Sequence, residues 1–229
     1  MQKYFILLVS IQLLITTNLL SQECDCSQIH KTDGLWYKVN ELFTGKCETF
    51  YHNGVKKVEA NFRNGKFHGS VVSWYLSGQK QSDGNFIDGI EDGRILAWFH
   101  TGQMKMEKNY KNGVKDSLFV EWFEDGKIKS RGYFQDGKKI GYWIMYYSDG
   151  TKKEEGNYID GLRAGLWIWY YKNGNIEKSG KFKYDKKFGI WKTFYKDSLP
   201  KEEIEYKKNE EIIKFYRWDK EGKKIKVTD

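Results

Sequence analysis

Three cysteines, four histidines and a scatter of Asp-Gly doublets are the residues whose types could do chemistry. Cys24-x-Cys26 followed by Cys47 could bind a metal, form a disulfide or offer a thiol nucleophile. No second cysteine pair follows and His30 is the only histidine nearby, so a four-ligand metal site lacks its ligands. A structural bridge from Cys24 or Cys26 to Cys47 is the better reading, with one thiol left over. No serine sits in a Gly-x-Ser-x-Gly context. Asp88, Asp136 and Asp160 each precede a glycine, but they lack the alternating oxygen ligands and closing glutamate of a calcium loop. The glycine-rich loops lead into no helix, so no phosphate cradle is formed. These residues imply no catalytic centre, no metal and no cofactor.

The elements that would position them are repeats. A turn glycine recurs at Gly54, Gly78, Gly102, Gly126, Gly150 and Gly174, each 24 residues after the last, and again at Gly222, with Ser198 in the skipped place. The stretch Leu166 to Gly189 shows the whole unit: two aromatic-rich runs, a central Asn173-Gly174 turn and a closing glycine. Self-similarity at a fixed period of this length marks a repeat array. Asn-Gly and Asp-Gly are strong hairpin signals, so each central turn is expected to be a two-residue type I′ turn. Connecting loops repeat at Asn64-Gly65, Asp88-Gly89, Asn112-Gly113, Asp136-Gly137 and Asp160-Gly161. The expected fold is all-β: a single-sheet antiparallel meander of stacked hairpins, two strands per unit, twisted into a rod on the order of 70 Å at about 4.8 Å per strand. His52 and His100 fall at one repeat position, where other units hold Leu76, Glu124, Ser148 and Lys172. A place tolerating such variety is a turn-flanking surface site rather than a base or ligand.

Successive residues of a strand point to opposite faces. Under the two-residue register Trp143 falls opposite Gly156, Trp167 opposite Gly180 and Phe119 opposite Gly132, a large ring covering a cross-strand glycine. Ile95 then faces Lys108 and Trp191 faces Ile204. Strand-end aromatics Phe62, Phe86, Tyr110, Phe134, Tyr158, Phe182 and Tyr206 share the better-buried face with Trp143. The other, half-wetted face carries a possible binding ladder of Trp74, Trp98, Trp122, Tyr146 and Tyr170, suited to stacking on sugars or peptides. Aromatics interleaved with Lys and Arg also describe nucleic-acid surfaces. Here the rings recur because the core recurs, and core packing accounts for them better than nucleic acid does.

Net charge is +8, with opposite signs interspersed along every unit. That is mainly a solvated surface, with contact to anionic polymers or head groups as the functional alternative. At the N-terminus, Lys3 precedes an apolar run from Tyr4 that continues, diluted, to Leu20. This describes a secretory signal peptide over 1–21, with an uncleaved anchor as the alternative. Gln22-Glu23 before Cys24 does not suit lipidation. Export permits disulfides and predicts a periplasmic, envelope-associated or extracellular location. The segment 22–42 leads into the array, which occupies 43–222, and 223–229 form a charged tail.

Phe62-Arg-Asn-Gly-Lys-Phe-His-Gly69 and Tyr158-Ile-Asp-Gly-Leu-Arg-Ala-Gly165, alternating with Trp-Tyr-x-x-Gly runs, resemble MORN repeats. They are most similar to the bacterial MORN-variant repeats found in chains often labelled antitoxin-like. The resemblance covers about residues 43 to 222. It implies stacked β-hairpins and a scaffold or binding surface with protein or lipid partners, and no shared catalytic residues. An exported chain would not meet a cytoplasmic toxin, so the antitoxin label adds little.

The expectation is a non-enzymatic, exported scaffold that binds another protein or assembles with itself. The alternative is attachment to anionic lipid head groups or envelope polysaccharide through the basic residues and the ladder. A glycan-directed enzyme would need two carboxylates facing each other in a cleft, which a flat meander does not offer.

Overall fold

The computed structural model describes residues 22–207 and 210–225; the expected signal peptide and the last four residues of the tail lie outside the described residues. From Gly45–Phe50 onward the strands pair antiparallel in chain order through to Lys224–Ile225, forming one sheet of successive hairpins. Gln22–Asp25 adds a parallel strand on Gly45–Phe50 at one end. The rest of the lead-in segment forms a separate three-stranded sheet, Ile29–Thr32, Leu35–Lys38 and Glu41–Leu42. That small sheet closes the first unit. Ile29 and Phe43 are buried with Cys47, Ala60 and Phe62, and Trp36 packs beside them.

The central turns are not the two-residue type I′ turns expected from the sequence. At the central turn of the Leu166–Gly189 unit, Tyr171 N–H donates to Asn175 O and Gly174 N–H to Tyr171 O. This is a three-residue loop, Lys172-Asn173-Gly174, in which only Gly174 takes positive φ. The type I′ turns are in the connecting loops, where both residues take positive φ: Asn64 at 50° and Gly65 at 72°. Even Tyr184-Asp185 adopts this turn without a glycine, at 52° and 64°. The expected register nevertheless holds. A bulge after each three-residue loop, such as that between Trp169 and Tyr170, absorbs the additional residue and returns Trp167 to Gly180, Trp143 to Gly156 and Phe119 to Gly132.

The ring that covers each glycine is not the expected one. A Cβ built on Gly180 would overlap the indole of Trp191, and those on Gly156 and Gly132 would overlap Trp167 and Trp143. Each glycine is therefore roofed by the following unit, because the sheet carries that ring back over the preceding hairpin. This accounts for Trp191, whose own hairpin partner is Ile204. Trp143, Trp167 and Trp191 are buried along one face, the inner face of the sheet, with Phe182 and Phe62. Their rings meet edge to face, Tyr158 on Trp167 at 5.0 Å and Phe182 on Trp191 at 4.9 Å.

Candidate functional site

The five ladder residues lie at one register position on the outer face, and all are half-buried. Three are roofed by a lysine of the preceding strand. Lys56 sits 5.5 Å from the Trp74 ring centroid, Lys80 is 5.7 Å from Trp98, and Lys152 is 5.9 Å from Tyr170. Each of these lysines is also paired with the carboxylate three residues on, Glu59, Asp83 and Glu155, at 2.6, 2.7 and 2.9 Å. Met104 and Ile128 stand at the corresponding positions before Trp122 and Tyr146. The structure aligns the ladder as one row, with a lysine ammonium within 6 Å of the ring at Trp74, Trp98 and Tyr170.

Glu155 is the most enclosed carboxylate of this row. It accepts from the hydroxyls of Tyr142 and Tyr170 and from Lys152 Nζ. Burial pushes its carboxyl up, but the three bonds together outweigh burial and hold it below the usual range. Burial and the same carboxylate push both phenols upward. A carboxylate satisfied by three donors is a structural node, with most of its acceptor capacity already engaged.

Beside the ladder runs a row absent from the sequence expectation. Tyr142, Leu166 and Ile190 occupy one position of three successive units and are 46%, 50% and 50% exposed on the outer face. Their repeat spacing could have revealed them, but an apolar residue in an aromatic-rich strand reads first as core.

The inner face carries a third row, also spaced at the repeat: Lys115, Lys139, Arg163 and Lys187. Lys139 lies 4.2 Å from the Trp143 centroid and 5.1 Å from Tyr158, and Arg163 lies 4.0 Å from Phe182. Burial pulls the Lys139 ammonium below the usual lysine range.

The sulfurs of Cys26 and Cys47 are joined 2.03 Å apart, and Cys24 is a half-buried thiol paired in register with Cys47. Burial pushes the Cys24 thiol upward. His52 and His100 are exposed beside their turns. Among the described residues no three metal-ligating side chains come together, and no helix is long and apolar enough to cross a membrane.

No curated protein matches the chain. The MORN repeat variant family matches five times, over residues 43–64, 91–112, 115–136, 139–160 and 163–184. The matched windows keep the 24-residue phase of the hairpin units, passing over the second unit and the last ones. Family match, period and stacked hairpins agree: the chain belongs to the MORN repeat family, whose members are typically non-catalytic scaffolds that bind proteins or membranes.

Proposed function

We propose that this chain is an exported, non-enzymatic scaffold that binds a protein partner, or a second copy of itself, through its outer face. The observation that carries this reading is the exposed row Tyr142, Leu166 and Ile190, continuous across three units and bordered by the half-buried ladder. Aligned apolar side chains on a surface otherwise rich in charge are what a partner interface requires. The apolar leader before Gln22 supports export. The second reading is attachment to anionic head groups or polysaccharide, supported by the net charge of +8. Along the ladder, however, Lys56, Lys80 and Lys152 are already engaged by carboxylates, which favours the protein reading. Salt separates the two. Association measured by sedimentation should change little between low and moderate ionic strength, whereas a steep loss would support the anionic surface.

A further inference from the structure

Trp169 and Thr193 occupy the same inner-face position of successive units. The indole of Trp169 fills its place, whereas the smaller Thr193 leaves a pocket of about 210 Å³ bounded by Trp169, Trp191 and Tyr206. In register, Trp169, Lys178, Thr193 and Glu202 cross four adjacent strands. Lys178 stands 4.6 Å from the Trp169 centroid and Lys187 stands 4.9 Å from that of Trp191. Arg163 on the pocket wall is paired with Asp185, and Glu202 with Arg217. The Lys178 and Lys187 ammoniums are in no ion pair shown among the described residues, and the Glu210 carboxylate near Lys187 accepts from the Lys187 backbone N–H at 3.0 Å. The Thr193 hydroxyl is buried and has no hydrogen-bond partner among the described residues.

These features ask for one kind of ligand. Two ammoniums held against rings, with no direct ion pair to a carboxylate among the described residues, call for an anion. A buried hydroxyl without a partner calls for a polar group beside that anion. Indole walls suit the C–H surface of a saturated ring. We propose that the pocket binds one acidic sugar residue of an anionic polysaccharide. Its carboxylate lies between Lys178 and Lys187, a hydroxyl meets Thr193, and its ring packs against Trp169. The pocket is on the face opposite Tyr142, Leu166 and Ile190, so this proposal stands or falls separately from the partner surface.

Calorimetry of the full chain tests it, with an oligogalacturonate as probe, a cello-oligosaccharide as the neutral control and phosphatidylglycerol vesicles as the membrane arm. The oligogalacturonate should bind saturably, at least about tenfold tighter than the neutral sugar, and more weakly as salt rises. Lys178→Gln with Lys187→Gln, both on the pocket rim, should weaken it by about tenfold or more, the worth of a charge-assisted hydrogen bond. Lys187→Arg should retain binding. Thr193→Trp, which installs the preceding unit's residue, should abolish binding with the unfolding midpoint preserved. Equal affinity for the neutral sugar, unchanged affinity in the double glutamine variant, or binding to the vesicles alone would overturn the proposal.

Discussion

The hydroxyl of Tyr147 donates to the backbone carbonyl of Tyr170 at 2.8 Å, tying one hairpin unit to the next. The same bond recurs from Tyr51 to Trp74, Tyr75 to Trp98, Tyr171 to Phe194 and Tyr195 to Trp218. On the opposite rim, connecting-turn amides donate to a carbonyl of the preceding unit, as from Gly137 to Lys115 and Gly161 to Lys139. The phenol position holds Phe99 and Phe123 in the middle of the array, so two junctions lack that bond.

Tyr147→Phe should therefore lower stability by about 1 kcal/mol, the net worth of one such bond, read as a shift in the urea midpoint at constant slope. Phe99→Tyr should give a gain of at most similar size. In hydrogen exchange, amides at the Phe99 and Phe123 junctions should open before those at the Tyr147 and Tyr171 junctions. Equal protection at all four would show that the phenol bonds contribute nothing to stacking.

Gly180→Ala inserts a methyl where Trp191 lies. Overpacking of this kind costs about 1–3 kcal/mol. Gly165 is the comparison, since nothing lies within 4 Å of its Cβ position and its φ of 68° is the only obstacle. Gly165→Ala should cost about 1 kcal/mol of backbone strain. The diagnostic is a double-variant cycle. Trimming Trp191 to Leu should relieve much of the penalty at Gly180 and none of that at Gly165.

Glu48 is held by hydrogen bonds from Lys46 and Lys56, which bring its carboxyl to about 2 from an ordinary 4.5. The unfolded chain regains the ordinary value. Between the two values the unfolded state binds a proton that the folded state does not. The stabilisation is thus complete above about pH 4.5 and is lost as pH falls through 2. Glu48→Gln should flatten the acid limb of the stability curve in that window and leave its slope at neutral pH unchanged.

Reducing the Cys26–Cys47 bridge releases a link of sequence separation 21. The cost should be about 3 kcal/mol and should fall on the lead-in sheet and the first unit. Before reduction, alkylation should modify one cysteine per native chain, Cys24, and slowly, because burial disfavours its thiolate. Two or three modified cysteines in the unreduced chain would contradict this pairing.

Much of this architecture is legible in the sequence because one 24-residue period carries both turns and both strands, so Gly54 through Gly174 fix the phase without any long-range information. The turn types are not legible. Asn-Gly occurs at Asn64-Gly65 and at Asn173-Gly174, yet the first is a two-residue and the second a three-residue loop. The doublet is the same, and only the pairing beyond it differs. Trp191 does stand opposite Ile204 as the spacing predicts, but its role over Gly180 depends on contact with the preceding unit, which pairing within a hairpin does not give. The ladder positions are visible as a row. Their lysine roofs are not, because the rings at 74, 98 and 170 meet side chains 18 residues earlier on a neighbouring strand. Thr193 in the place of Trp169 is in plain view, and its meaning appears only once Trp191 and Tyr206 wall the space it leaves.

The partner surface is tested most directly by placing a photocrosslinking residue at Leu166 in the full chain within its own cells, with a second version at Lys111, the exposed strand end beside a connecting turn. A discrete protein adduct, or a dimer of this chain, is expected from position 166. None is expected from position 111, and the adduct should be lost when Ile190→Glu is added. Equal adducts from both positions, or an adduct from 166 that survives Ile190→Glu, would contradict a partner surface built on this row.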